Sequence, residues 1–429
     1  MNIETNSAFD DAASAAVRAE IQKANTAPGI DFGSMMVQVD KKNSGRFRSI
    51  WTSALTHLQI PPNATFFQCQ SSKVTGAYRP FGDIMTTALP FANGKTDGQV
   101  APPGTLLFAP NTSDPTALAQ PTGFSWIADD KHSENPNNIA YFVPVAPTGY
   151  VAMGLCWGQN GSHPDPTAYW CVRADLVRLV DRQMTWSSAK QYWTSHSGSL
   201  YSSVMTATAQ SGLDHAEMLV IPQTFLPDPE DGSIPNYALL LKQPAVTLEL
   251  DAQLPDPNTP KPTGTKLNAG VSAVTVVPWM AVANDSSFPD RPDNSPFYFV
   301  VAEPYWQSIE NIPSPAGGSY DIRRMLGTSE TNSQTFSQST SMEISADFGL
   351  EFDGLSASVS TKYTETFSME TQTTTGVDTE VEVITTITLP SAQQIGFWQL
   401  MLQVAVFRGD GSKMQTPYGF RDIRMSIQA

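Results

Sequence analysis

Basic charge is scarce in this chain. Its 429 residues carry 25 Lys and Arg against 41 Asp and Glu, a formal net charge of -16. Phosphate backbones are gripped by basic surface, so a nucleic-acid partner is excluded. Long apolar runs are missing as well: no stretch of about 18 apolar residues exists, and no transmembrane helix is encoded. Any dealing with a membrane must then be through strands or a surface-lying helix. The first twenty residues, MNIETNSAFDDAASAAVRAE, have neither a basic leader nor an apolar core of signal-peptide length, so no classical secretion signal is expected. The three cysteines, Cys69, Cys156 and Cys171, are odd in number and not spaced as zinc ligands; buried free thiols are expected.

Catalytic patterns are equally sparse. The five histidines, His57, His132, His163, His196 and His215, never fall in His-Glu-x-x-His spacing, and no nucleophile-elbow glycine pattern occurs. The acidic turn DPEDG at 228–232 reads as solvated loop. No catalytic residue, cofactor or metal site is assigned. The Arg408-Gly409-Asp410 triplet could in principle bind an integrin, but reads as a hairpin loop with an incidental arginine.

Turn-formers are abundant. With 33 Pro, 28 Gly, 40% hydrophobic and only 15% charged residues, the composition predicts many short strands joined by turns. The one convincing helix spans residues 7–24, with Ser7 as N-cap and Phe9, Ala13, Val17 and Ile21 on one face. It is either docked on the body or a removable pro-segment. From about Arg46 to Ser188 short strands alternate with aromatic and glycine punctuation. Two passages there echo each other as Tyr-x-x-(Phe or Met)-Gly, at Tyr78–Gly82 and Tyr150–Gly154. Trp51, Trp126, Tyr150 and Trp157 are candidate receptor-binding residues through stacking on sugars, with burial in an aromatic core as the alternative.

The passage SMEISADFGLEFDGLSASVSTKYTETFSME, residues 341–370, is the most informative. Met342, Ile344, Ala346, Phe348, Leu350 and Phe352 alternate with Ser341, Glu343, Ser345, Asp347, Gly349 and Glu351. Side chains of a strand alternate faces, so this arm has one apolar face and one polar face. Asp353-Gly354 is a two-residue turn signal, since a type I′ turn needs positive φ at both central positions. With the register so set, 350 faces 357, 348 faces 359, 346 faces 361 and 344 faces 363. Leu355, Ala357, Val359, Thr361 and Tyr363 thereby join the apolar face. Each arm has about 11 residues, the length with which a tilted strand crosses a bilayer core. Apolar toward lipid and polar toward the lumen is the pattern of a transmembrane barrel, and the open edges of a single hairpin can be closed only by further copies. The lumen face would carry Glu343, Asp347, Glu351 and Lys362. About two residues in five between Thr328 and Thr388 are Ser or Thr, which favour strands yet tolerate water on either face. GVDTEVEVITTITLP, 376–390, continues the alternation, with Val377, Val381, Val383, Ile387 and Leu389 on one side. An ordinary amphipathic hairpin packed on a core is the competing reading.

Two family resemblances rest on these residues. The ordered set FRSIWTSA, YRPFGDI, FSWIADD, YFVPVAPTGYVAMG and CVRADLV resembles the vacuolar-protein-sorting-associated sixty-two domain over about the first 190 residues. That resemblance implies association with insecticidal pore-forming modules. The region from about residue 241 to 429 resembles the aerolysin-type β-pore-forming toxins in its Ser/Thr-rich hairpin pattern. It implies a soluble form that binds a target-cell plasma membrane through a surface receptor or glycan, assembles into a homo-oligomeric ring and inserts a hairpin from each copy. A lectin-like or scaffold protein without pore activity is the alternative. The expected fold class is mainly β: a first β domain, with a β-prism as one option, followed by an elongated antiparallel-sheet pore-forming module. The expected division is a helix and lead-in over 1–40, a β domain over 41–190, a connecting segment over 191–240, and the pore-forming module over 241–429 with its insertion hairpin at 341–370.

Overall fold

The computed structural model describes residues 7–53, 64–87, 102–131, 135, 137–187, 198–205, 209, 213, 217–228, 234–249, 253, 261–282, 285, 291–312, 316–326, 368–370, 381–389, 395–414 and 418–428. The chain is mainly β, and every pairing among the described strands is antiparallel. It opens on helix α1 (Ser7–Thr26), which includes the predicted span and runs two residues beyond it. Val17 and Ile21 are buried, and the helix end is tied down where Asn25 Nδ2 donates to the Gly409 carbonyl at 2.7 Å. The side chains of Phe9 and Ala13 lie outside the described set.

Strands then follow in short lengths. They are β1 (Ile30–Asp31), β2 (Met35–Asp40), β3 (Phe47–Thr52), β4 (Thr65–Cys69), β5 (Ile84–Thr86), β6 (Thr105–Pro110), β7 (Leu118–Ala119), β8 (Gly123–Asp129) and β9 (Ile139–Val145). Next come β10 (Tyr150–Val151), β11 (Cys156–Gln159), β12 (Cys171–Arg173), β13 (Val177–Leu179), β14 (Asp181–Trp186), β15 (Leu200–Val204), β16 (Glu217–Val220), β17 (Leu226–Pro227) and β18 (Tyr237–Lys242). They form three-stranded sheets in the orders β1-β2-β6, β3-β4-β5, β10-β12-β7, β11-β9-β8, β13-β18-β16 and β14-β15-β17. Trp51, Phe66, Tyr141, Trp157 and Trp186 fill one shared core, with Trp51 and Phe66 edge-on at 5.1 Å and Phe66 and Trp157 at 5.2 Å. The three cysteines are free and buried.

Most of the remaining strands are longer: β19 (Ala245–Glu249), β20 (Lys266–Asn268), β21 (Val271–Pro278), β22 (Phe297–Ile312), β23 (Gly318–Leu326), β24 (Ser368–Glu370), β25 (Val381–Leu389), β26 (Ile395–Phe407) and β27 (Tyr418–Gln428), of which β19, β20 and β24 are short. One sheet runs β19-β21-β22-β26-β27-β24, with β20 also paired to β22; β23 and β25 form a separate ribbon. At the centre, β22 and β26 pair from Phe299↔Phe407 to Ile312↔Ile395 with a single irregularity at Ser308/Glu310. Every residue from Phe297 to Trp306 is buried, so both faces of β22 are covered. The main core joins the two halves of the chain, with Val17, Phe108, Val220 and Leu239 in the same cluster as Val274, Val300 and Val404.

A buried ion pair closes one end of this sheet. Arg408 donates from Nε and Nη2 to the two carboxylate oxygens of Asp285 at 2.7 and 2.9 Å, and the Tyr298 hydroxyl donates to Asp285 Oδ2 at 2.9 Å. The Arg408-Gly409-Asp410 triplet therefore has its arginine inside the protein, and the reading of that arginine as incidental gives way to a structural role. The hydrogen bonds from Arg408 hold the Asp285 carboxyl below the ordinary carboxylate range, so its stabilisation is present at neutral pH and lost on acidification through that lowered value. Replacing Asp285 with Ala should cost about 3–5 kcal/mol, because it leaves a buried guanidinium unpaired. Urea denaturation of the variant beside wild type at pH 7 checks this, and an unchanged midpoint would contradict it.

Candidate membrane-insertion ribbon and receptor-facing aromatics

The β23–β25 ribbon is built by a glycine turn and by alternation. Gly317 and Gly318, at the entry to β23, have φ of 80° and 140°, which side-chain-bearing residues rarely adopt. Alternate residues then divide between two environments. Ile322 is buried beside Phe397, with Ile309, Ile312 and Tyr320 packed around them, while Ser319, Asp321 and Arg323 are exposed. On the partner strand Glu382, Ile384, Thr386 and Thr388 are exposed, and Ile384 keeps half its surface in water. The register, Asp321↔Thr386 and Arg323↔Ile384, puts all of these on one outer face. Thr386 Oγ1 donates to Asp321 Oδ1 at 2.7 Å, whereas Arg323 and Glu382 approach only to 3.8 Å across open surface, a contact worth about 0–1 kcal/mol.

Pairing runs from Gly318↔Leu389 to Leu326↔Val381, so residues 327–380 leave and rejoin at one end of the ribbon. Within that stretch Ser368–Glu370 pairs with the C-terminal strand, Ser368↔Gln428 to Glu370↔Ser426. The last three residues of the 341–370 hairpin expectation thus belong to a strand of the large sheet. Alternation looks the same whether a strand pairs within its own hairpin or with the body, which is why the sequence did not separate them. The expected lipid-face residues (Met342 to Tyr363), the turn Asp353-Gly354, and the lumen-face residues Glu343, Asp347, Glu351 and Lys362 all lie outside the described residues. They are bracketed by Leu326 and Ser368.

The four aromatic candidates separate clearly. Trp51 and Trp157 are fully buried; the Trp51 indole donates to the Asp130 carboxylate, and the Trp157 Nε1 to the Ile84 carbonyl at 3.4 Å. Neither offers a ring face to a sugar, so both are corrected to core residues. Tyr150 is half-buried and its hydroxyl donates to the Thr116 carbonyl at 2.7 Å. Trp126, on β8 opposite Phe142, is 47% exposed and does present a free ring.

The motifs that carry the first resemblance prove to be structural. The two echoing Tyr-x-x-(Phe or Met)-Gly passages meet at their glycines: a Cβ on Gly82 would stand 2.7 Å from the Leu155 carbonyl oxygen and 3.2 Å from the Gly154 backbone. Asp83, next in chain, is fully buried and accepts from Cys69 N at 2.7 Å, Trp157 N at 2.7 Å and the Tyr169 hydroxyl at 2.8 Å, pinning β4, β11 and the segment before β12 together. In CVRADL, Arg173 grips Asp175 at 2.6 Å and Asp114 at 2.7 and 2.9 Å, which holds Asp114 down to about 2. Asp83 and Asp285, both tied to distant partners, are the residues that sequence reasoning missed. Among the described residues no group of three or more His, Cys, Asp or Glu is arranged to hold a metal ion, and no helix is long and apolar enough to cross a membrane.

Burial pushes the Asp83 carboxyl up to about 7, against the pull of its three donors. A folded value above the unfolded one means that the native state retains a proton that the unfolded chain has lost. The associated stability is full below pH 4 or so and disappears as pH rises through about 7. Chemical denaturation at pH 5 and pH 8 should therefore show wild type weaker at the higher pH, with the difference reduced in Asp83→Asn. Equal slopes in the two proteins would refute the assignment.

Comparison with known proteins gives the following. Residues 30–212 match the family model described as vacuolar protein sorting-associated protein 62. Two sequences of the binary larvicide subunit BinA of Lysinibacillus sphaericus are each 23% identical over 146 residues, which is 33% of this chain and 39% of theirs. The chain thus spans about two fifths of these relatives' length. Among solved structures, GNIP1Aa from Chromobacterium piscinae aligns over 52% of this chain and 41% of its own at 15% identity and a TM-score of 0.34. Cry35Ab1 aligns over 93% and 88% at 12% identity and a TM-score of 0.29. Over residues 30–212 the chain is similar to the vacuolar protein sorting-associated protein 62 family, as its ordered motifs implied, and 146 of its residues are similar to a larvicide subunit.

Proposed function

We propose that the protein is an insecticidal-type pore-forming toxin: a form released into water docks on a target membrane, assembles into a ring, and inserts the 342–363 hairpin of each copy. The observation that carries this reading is the ribbon. An alternating, Ser/Thr-rich sequence lies between the two arms of an antiparallel ribbon that are in register at Leu326↔Val381, with β24 between it and the second arm, so both ends of the inserting segment start from paired strands. On the described inner face of the ribbon Ile322 is buried and Tyr320 packs beside it. Burial of an apolar hairpin face in lipid, at roughly 25 cal/mol per Å², then outweighs what holds it to the body. Similarity of one segment to a larvicide subunit supports the toxin class.

The test is an asymmetry between faces. Ala346→Arg or Leu350→Arg puts a charge toward lipid at a cost of about 2–4 kcal/mol per copy near the midplane, whereas Ser345→Arg faces the lumen. Dye release and single-channel recording should show the first two inactive and the third conducting. Rings of acidic side chains favour cations, so wild-type channels should be cation-selective and Ser345→Arg less so. Equal loss at both faces, or anion preference in wild type, would defeat the strand assignment. A disulfide between Phe348→Cys and Val359→Cys, a facing pair, should be tolerated.

Receptor recognition has one specific observation in its favour, the free ring of Trp126. Stacking on a sugar or on another apolar ligand is the use such a ring has. Trp126→Ala should reduce binding to sensitive cells at least about tenfold, a loss of about 1.4 kcal/mol, without altering channels in planar lipid. Unchanged cell binding would return Trp126 to an incidental surface residue.

A further inference from the structure

The large sheet leaves one of its margins in water. Strand β19 pairs with β21 alone among the described strands, and Ala245, Val246, Thr247 and Glu249 are exposed while neighbouring β21 is buried almost throughout. The ladder fixes which backbone groups are free. Val276 N donates to the Pro244 carbonyl at 3.2 Å, so Pro244 faces Val276 as a hydrogen-bonded pair, and Val246 and Leu248 follow it two and four residues on. Ala245 and Thr247 lie between them and turn their N–H and C=O groups away from the sheet. Edges of this kind are ordinarily blunted by lysine, proline or a bulge, and Ala245–Leu248 has none of these.

We infer that β19 is an assembly edge, which pairs with β24, the opposite margin of the same sheet among the described strands, in a second copy of this chain. The occupant follows from parity. Among the described strands the sheet path β19-β21-β22-β26-β27-β24 has six members, each antiparallel to the next, so its first and last described strands run in opposite directions. A copy placed alongside in the same orientation sets its β19 antiparallel to the β24 of its neighbour, and the alternation continues unbroken. Such contacts are heterologous and close into rings when each copy is rotated slightly from the last. An even strand number suits head-to-tail assembly; an odd one would have forced a parallel joint. This inference rests on the ring-forming reading above and names the surface that the ring uses.

The joint can be trapped. In one chain the two margins are five strand spacings apart, about 24 Å at the usual separation, so a disulfide between them forms only between copies. Thr247→Cys combined with Ser368→Cys, Met369→Cys or Glu370→Cys should give a ladder of cross-linked multimers on vesicles of phosphatidylcholine and cholesterol. Thr247→Pro removes an outward N–H without touching the β19–β21 ladder, so the monomer should melt as wild type does while multimer yield falls at least about tenfold. Thr247→Lys, which cannot fail for backbone reasons, should act in the same direction. Assembly of both single variants at wild-type yield would overturn the inference. A product linked only between two copies of position 247 would overturn the head-to-tail arrangement in favour of a two-fold dimer. Vesicle leakage with no cross-link at any of the three pairs would sink the edge and leave the pore reading standing. Neither leakage nor multimers from the wild type would sink both.

Discussion

The β22–β26 ladder is the constraint from which the rest of the molecule follows. Its residues are buried on consecutive positions, so it has no wet face, and each side must be covered by something else. Part of that cover comes from the N-terminal half: Val17 of the helix, Phe108, Val220 and Leu239 share one cluster with Val300 and Val404. The N-terminal half and the long-stranded module are thereby joined through apolar contact. Rearranging this centre would expose a large part of the core at roughly 25 cal/mol per Å². Change is cheaper at the margins. The described inner face of the ribbon contributes one buried isoleucine, and β19 contributes strand pairing with its side chains largely in water.

The first half shows a second use of the same physics, on a smaller scale. Its described sheets have three strands each and share their cores with one another. They are fastened by partnered polar groups, buried in the case of Asp83 and near the surface in the case of Arg173. Asp83 ties the backbone of Cys69 and Trp157 to the Tyr169 hydroxyl, and Arg173 ties Asp114 to Asp175. The glycines of the two echoing passages are needed because two backbones cross there with no room for a side chain. A domain assembled in this way keeps its loops in place without long strands, and an exposed ring such as Trp126 stands on a rigid support.

What was legible in the sequence was local. The helix showed in the spacing of Val17 and Ile21, and the mainly β class in the density of proline and glycine. The outer face of β25 showed in the alternation of 381–389, where Glu382, Ile384, Thr386 and Thr388 are the exposed set. What was illegible was long-range. Trp51 and Trp126 sit in similar strand-like contexts, yet one is inside and the other outside, because the other sheets decide which face is covered. Arg408 resembled a loop arginine because its partner, Asp285, is 123 positions away. Ser368–Glu370 resembled the end of a hairpin because alternation records a strand's two faces and not its neighbour.

That last confusion has a physical basis which bears on how such a segment can work. A strand that alternates apolar and polar residues is satisfied by any partner that supplies a ladder on its edges and one dry face. The body's sheet can provide both, and so can a barrel in lipid. Ser and Thr in place of charged residues keep the polar face tolerable in either setting, since a hydroxyl can bond to water or to a neighbouring strand. The described face of the ribbon has this character in part, with Thr386 bonded across to Asp321 and Thr388 in water, on a face that also carries the charged Arg323 and Glu382. A segment of this kind is not specified for one location. Its place is decided by which surroundings bury more of its apolar face, and the surroundings change when a second copy arrives or a membrane comes within reach.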